Sequence, residues 1–268
     1  MDFVILGSGG GLPTPRPFCQ CSLCKKARKL GEPYKRNNSS IFLKQINGVV
    51  DCGEDICDSI NRRNIIQVDN LFITHWHPDH TFGLRAMVEA NFDFVKGQPL
   101  HTINLFIPKK VFKELKKHFD VFDYLEKVQK TVKINLIEDG WSKKINGINV
   151  SAIGYSGENS SVFGYLFEEK KKRVFYAPCD TISLKKEILD LDLFIVECGL
   201  FAFDKDISEI SFSGSIKMIK RMGPKKTIFT HIEECEVSHA GLAQLEKLKK
   251  KYSGVNFDFA FDGMKIKV

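Results

Sequence analysis

The residues best equipped for chemistry crowd into one stretch, ITHWHPDHTFGL, at residues 73–84. His75 and His77 are spaced i, i+2, and Asp79 and His80 follow as neighbours, so four donors fall within six residues. Imidazole and carboxylate suit Zn, Mn or Fe, and a short turn containing Pro78 can fan such side chains toward two neighbouring points. Two metals roughly 3.5 to 4 Å apart fit that fan. The plainer account, a helix N-terminus capped by Asp79 with incidental histidines, suits one histidine better than three. A metal pair needs more ligands than this turn supplies. Asp180 can bridge two ions and His231 can complete one sphere, although taken alone the first reads equally well as a helix cap before Thr181 and Ser183, and the second as a satisfied strand-end histidine.

A second cluster, CQCSLC, brings Cys19, Cys21 and Cys24 together, while Cys52, Cys57, Cys179, Cys198 and Cys235 are dispersed. Eight cysteines spread this unevenly over 268 residues do not make a disulfide framework. In a reducing compartment so tight a cluster reads as a metal site, and three thiolates need a fourth partner to close a tetrahedron. The glycine-rich GSGGG at residues 7–11 fits neither nucleotide pattern: Leu12 stands where GxGxxG needs glycine, and no Lys-Ser or Lys-Thr follows at Walker spacing. It reads as a tight turn that lets backbones approach closely.

These residues have to be positioned by strands. Apolar runs bounded by Gly, Asn or Asp predict thirteen of them: FVILG, SIFLK, GVVDCG, LFITH, INLFI, VKINLI, INVSAIG, VFGYLF, RVFYAP, LFIVEC, TIFTH, FDFAF and MKIKV. Helices are expected over residues 81–91, 109–118, 184–190, 214–222 and 238–251, the last carrying the stripe Leu242, Leu245 and Leu248. So many strands exceed one open sheet, and two mixed sheets packed face to face with helices outside fit better, an α/β (α+β) architecture. Asp51, His75, Asp180 and His231 each fall just past an apolar run, where one edge of a sandwich can collect a site. No repeat or Pro/Ser-rich linker marks a boundary, so residues 1–268 are expected to form a single domain.

With 43% hydrophobic and 27% charged residues the chain has the composition of a folded globular protein. Its first residues, MDFVILGSGG, lack a basic segment and carry an apolar run too short for a signal peptide or membrane span, which predicts a cytoplasmic protein with no membrane partner. The net charge of +7, from 40 basic against 33 acidic residues, favours a small anionic substrate through steering. It does not by itself point to nucleic acid, because no arginine-rich arm and no RRM, KH or zinc-finger signature accompanies it.

On HWHPDH, VVDCG, FYAPCDT and IFTHI the chain resembles the metallo-β-lactamase superfamily of metal-dependent hydrolases, nearly end to end. Through GSGGGLP, CQCSLCKKAR, FGYLFE and FDGMKIKV it looks most like the phosphonate-pathway cyclic-phosphate phosphodiesterases. That resemblance implies an αββα sandwich and a metal-dependent phosphodiesterase, in which a metal-bound hydroxide attacks a small cyclic or nucleotide-like phosphodiester. It implies that His75 and His77 hold one ion, that Asp79, His80 and His231 hold a second, that Asp180 bridges them, and that Asp51 orients the turn without binding metal. Asp79 and Asp180 would position the nucleophile. It also implies a structural zinc in a loop at about residues 18–36, bound by Cys19, Cys21 and Cys24. The fourth ligand is Glu234 by position, with Cys235 and His239 as alternatives.

Two departures from the family pattern stand out. Where a third histidine usually serves the first metal, this chain has YSGENSSVFGYL, and Glu158 occupies the nearest position. A carboxylate there would favour harder ions such as Mn or Fe. Where the phosphodiesterases carry a histidine that assists protonation, Glu209 in DKDISEISFSG is the nearest equivalent. Substrate choice is assigned to residues 91–102 and 199–213, whose Phe201, Phe203 and Phe212 either stack on a base or pack the loop down. Other readings are an RNA-processing nuclease of the same superfamily, a cofactor-biosynthesis protein similar to the pyrroloquinoline quinone B group, and a non-catalytic metal-binding module. Assembly as a homodimer is left open.

Overall fold

The computed structural model describes residues 1–268 except 119, 157–160, 203–204, 206–208 and 242. All thirteen apolar runs take part in sheets. In chain order, β1 (Asp2–Gly7), β2 (Ser40–Leu43), β3 (Gly48–Val50) and β4 (Asn70–Phe72) precede a small ribbon, β5 (Phe92–Asp93) with β6 (Gln98–Pro99). Then come β7 (Ile103–Pro108) and β8 (Val132–Ile137). The second half supplies β9 (Ser142–Ile145), β10 (Ile148–Ser156), β11 (Ser161–Glu169), β12 (Lys172–Ala177), β13 (Leu193–Glu197), β14 (Thr227–Thr230) and β15 (Phe257–Phe259), and β16 (Lys265–Lys267) returns to the first half.

Two seven-stranded sheets result, in the orders β16-β1-β2-β3-β4-β7-β8 and β15-β14-β13-β12-β11-β10-β9. Each is antiparallel on one side and parallel on the other: β3, β4, β7 and β8 run parallel in the first, and β12 to β15 in the second. The central parallel strands β3, β4, β13 and β14 are buried on both faces, which is why they read as unbroken apolar runs, whereas β8 at the edge is partly exposed. In β12, Val174 and Tyr176 point into the core between the sheets, and Phe175 and Ala177 point to the opposite core. Ring contacts span the sheets, Phe3 to Phe167 at 5.6 Å and Phe72 to Tyr165 at 5.3 Å between centroids.

Helices cover the outer faces. They are α1 (Ser22–Leu30), α2 (Ile56–Arg62), α3 (Pro78–Thr81), α4 (Leu84–Glu89), α5 (Lys109–His118), α6 (Phe212–Met222), α7 (Glu234–Ala240) and α8 (Gln244–Lys251). Ile56, Leu84, Val88 and Leu115 join the first sheet's core, and Ile216, Ile219, Val237 and Leu248 join the second. The layering is therefore helix, sheet, sheet, helix, as the strand count implied.

Three helix expectations need correction. No helix forms over 184–190; a single 3-10 turn at Thr181–Ser183 gives way to irregular chain. The expected helix over 238–251 is two helices, because Gly241 takes φ +92 and ends α7. The segment at 81–91 begins earlier, at Pro78, and is interrupted at Phe82 and Gly83. No helix among the described residues is long and apolar enough to cross a membrane.

Candidate metal centre

The carboxyl ends of the parallel strands face one edge, the place where α/β sheets collect ligands. Three residues just beyond strands β3, β12 and β14, namely Asp51, Asp180 and His231, take left-handed backbone with φ of 62°, 54° and 53°. Asp and His tolerate that region better than most residues, yet each such conformation costs on the order of 1–3 kcal/mol and persists only where the surroundings enforce it. The enforcing contacts are visible. The Asp51 amide donates to the Phe72 carbonyl at 2.9 Å, the Thr181 amide to Glu197 Oε2 at 2.8 Å, and the His231 amide to Ser39 Oγ at 2.9 Å.

The histidine turn is fastened to both sheets. The Cys52 amide donates to the His80 carbonyl at 2.8 Å and the Gly83 amide to the Cys52 carbonyl at 2.9 Å. A Cβ at Gly83 would stand 2.1 Å from the Gly53 carbonyl oxygen, so only glycine permits this approach. From the second sheet, Tyr165 Oη donates to the Ile73 carbonyl at 2.9 Å and the Phe163 amide to the Thr74 carbonyl at 3.0 Å.

Asp51 is fully buried and binds two things at once. It accepts from the Thr74 amide and hydroxyl, each at 2.8 Å, and its Oδ2 lies 2.8 Å from His80 Nδ1. This directs His80 Nε2 into the site, where it has no hydrogen-bond partner and stands 3.1 Å from Asp79 Oδ2. His231 Nε2 approaches the same Asp79 oxygen at 3.3 Å. Thr74 Oγ1 meets His75 Nδ1 at 3.0 Å, leaving His75 Nε2 to face His77 Nδ1 at 3.0 Å. The glycine loop reaches the site as well: Glu233 Oε1 accepts from the Gly11 amide at 2.9 Å and lies 3.4 Å from His231 Nδ1. A Cβ at Gly10 would fall 1.8 Å from that carboxylate oxygen, the close approach read from GSGGG.

The electrostatics are those of a site built around positive charge. Burial alone would raise the Asp79 carboxyl, but His80 and His231 beside it outweigh that and hold it far below the usual carboxylate range. Burial would likewise lower His80, yet Asp79 and Asp51 push it well up. His75 and His77 are lowered, first by burial, and neutral imidazole is the form that binds metal. Crowded imidazoles, a buried His80 Nε2 with no aligned hydrogen bond and a carboxylate held ionised beside it make a donor set that fits divalent cations.

Two donor triads lie with all their ligand atoms within 4.8 Å: His75, His77 and Cys179, and His80, Cys179 and His231. Cys179 was absent from the candidates read from sequence. Asp180, its neighbour, is not part of either triad, though its charge acts on His77. Glu197 was also missed; its Oε2 accepts from both the amide and hydroxyl of Thr181 and fixes the turn that carries Cys179 and Asp180. An acidic residue ending the otherwise apolar run LFIVEC was the available signal. Glu158 lies outside the described residues. Glu209 is half-buried, and burial, opposed by His231 but reinforced by Glu197 and Glu233, raises its carboxyl to about 7. Phe201 and Phe212 are core residues, not stacking surfaces: Phe212 packs on Phe229 at 5.1 Å between centroids, while Phe203 lies outside the described residues.

The cysteine loop forms a separate cluster. Glu234 Oε1 is 3.5, 3.4 and 3.1 Å from the sulfurs of Cys19, Cys21 and Cys24. Cys235 and His239 are exposed and stand outside this group. Cys21 caps α1, accepting from the Cys24 amide. Burial, and then the Glu234 carboxylate, push the Cys24 thiol well up, and the cation beside the four acids is Arg16, whose Nε lies 3.2 Å from Glu234 Oε2; three thiols and a carboxylate are a set suited to zinc. Alanine at Glu234 is expected to lower the metal content of the purified protein by one equivalent while leaving the histidine-bound metal in place. Elemental analysis beside the unaltered protein checks this, and an unchanged zinc content would remove Glu234 from the ligand set.

A family model described as beta-lactamase superfamily domain matches residues 47–232. Among curated relatives, a ribonuclease Z of Picrophilus torridus is 28% identical over 191 residues, covering 69% of this chain and 54% of the relative. The chain thus spans about half the length of that relative. Among solved structures, a diphosphatase from the PhnP family matches with a TM-score of 0.77 at 21% identity, over 100% of this chain and 97% of the other. Zn(2+)-bound PqqB from Methylobacterium extorquens matches with a TM-score of 0.78 at 19% identity, over 100% of both chains. At these identities the two structures establish the shared fold.

Proposed function

The chain belongs to the beta-lactamase superfamily, and from that premise we propose that it is a metal-dependent phosphodiesterase acting on a small cyclic or nucleotide-like phosphodiester. One observation carries this: His75, His77, Asp79, His80 and His231 converge on one edge, with the carboxyl of Glu209 raised to about 7 in the same electrostatic neighbourhood. The names of the relatives, ribonuclease Z and diphosphatase, denote cleavage at phosphorus.

When bound, a pair of divalent ions would supply positive charge for phosphoryl oxygens and ionised water near neutral pH. The chain's own groups do the rest. Asp51 takes the Nδ1 side of His80 and so presents Nε2 as the donor, and Thr74 does the same for His75. Asp79, held as a carboxylate, orients an incoming water and accepts its hydrogen bond. Asp180 is assigned the bridging position. Glu209, about half protonated near pH 7, delivers a proton to the departing oxygen.

Metal-stripped protein is expected to be inactive on an aryl phosphodiester and to regain activity with two equivalents of Zn, Mn or Fe in addition to the zinc of the cysteine loop. Two bound equivalents without hydrolysis under any of the three metals would overturn the proposal. Ribonuclease activity is the second reading, favoured by the basic excess of +7. A tRNA precursor assayed beside the small diester separates the two. A single redox-active iron with no hydrolysis would instead support oxidative chemistry.

A further inference from the structure

We propose that Cys179 is a thiolate ligand of the metal centre, joining the His75–His77 pair to the His80–His231 pair. The inference rests on the metal-dependent reading above and names a ligand that reading did not include. Its sulfur is the one donor common to both triads, each with all ligand atoms within 4.8 Å. Donors on a single tetrahedral ion stand about 3.3–3.8 Å apart, given metal–ligand bonds of about 2.0–2.3 Å. Both triads are within a small closure of that spacing.

The residue is held where a ligand has to be held. Tyr155 Oη donates to the Cys179 carbonyl at 2.9 Å, and Glu197 grips Thr181 two residues on through its amide and hydroxyl at 2.8 and 2.7 Å. The left-handed turn at Asp180, φ 54°, sits between those anchors. Cys179 is 5% exposed, and its sulfur lies within 4.8 Å of a His231 ring nitrogen. An independent observation points to the same spot. His80 Nε2 is buried and makes no aligned hydrogen bond, its nearest charge being Asp79 Oδ2 at 3.1 Å, and His80 belongs to the second triad. Nothing among the described residues other than Cys179 completes a triad with His75 and His77.

A thiolate changes what the centre prefers. Sulfur favours Zn and other soft or borderline ions over Mn and Mg, the opposite of what a carboxylate in this place would do. Cysteine is also the smallest side chain that can supply a negative charge on a single polarisable atom, which suits a ligand shared between two positions.

The test uses the full chain, stripped of metal and reloaded with Co(II), with Cys179→Ser beside it. Thiolate-to-cobalt charge transfer absorbs in the near ultraviolet, and Cys19, Cys21 and Cys24 contribute equally to both proteins, so the difference spectrum isolates Cys179. The expected result is loss of part of the near-ultraviolet band, altered visible bands, and cobalt or zinc affinity at the histidines weaker by about tenfold or more. If both proteins bind cobalt at the histidines with identical near-ultraviolet intensity, the inference falls and the metal-dependent reading stands. If the unaltered protein binds no cobalt beyond the cysteine loop, both fall. Should the serine variant not fold, zinc X-ray absorption on the unaltered protein decides the matter. A sulfur count above that of Cys19, Cys21 and Cys24 supports the ligand, and a count they fully account for overturns it.

Discussion

Replacing His231 with asparagine is expected to slow phosphodiester hydrolysis by about a thousandfold, because several kcal/mol of Lewis-acid stabilisation depend on a complete donor set and each 1.36 kcal/mol is a factor of ten. Asparagine is the right choice because the residue holds φ 53°, a conformation it tolerates and alanine resists. The fold should survive, since this segment is tied down by its backbone: the His231 amide bonds to Ser39 Oγ and the Ile232 amide to the Ser8 carbonyl, both at 2.9 Å. What is lost is the Nε2 that faces Asp79 at 3.3 Å. Initial rates at saturating metal, with metal content and circular dichroism alongside, check the outcome. A folded variant with undiminished rate and metal content would remove His231 from the site.

Glu209→Gln is expected to lower turnover by about a hundredfold and to flatten the alkaline side of the pH profile. The sign follows from the role. A proton donor works in its protonated form, and burial raises this carboxyl to about 7, so activity should fall as pH rises through that value. His231 opposes the upward pull of burial, and the balance places the limb at about pH 7. Glutamine keeps the shape and cannot titrate, so the limb should vanish. Because a purely structural role would change the rate without changing its pH dependence, the profile is the deciding measurement. A limb that persists unaltered in the variant would assign it to another group.

The strands were legible because runs such as RVFYAP and LFIVEC are buried on both faces and carry β-branched and aromatic residues throughout. α1 was not, since KKARKL looks like a solvated charge run and only Leu23, Cys24 and Ala27 are buried. HWHPDH announced itself by local spacing, and Asp51 and His231 by their place after apolar strands. Cys179 and Asp180 are neighbours on one turn: the carboxylate was readable as a candidate, whereas a thiol after an apolar run looked like core, and only the fold brings its sulfur near the imidazoles. Glu209 was visible as a candidate, but its raised carboxyl depends on Glu197, Glu233 and His231, groups that only the tertiary fold assembles around it.

The division of donors between the sheets sets an order of maturation. His75, His77, Asp79 and His80 are synthesised early, while His231 lies 152 residues beyond Asp79 and arrives only once β14 has seated between β13 and β15. The complete donor set therefore exists only where both sheets are in place, since no stretch of the sequence carries it alone.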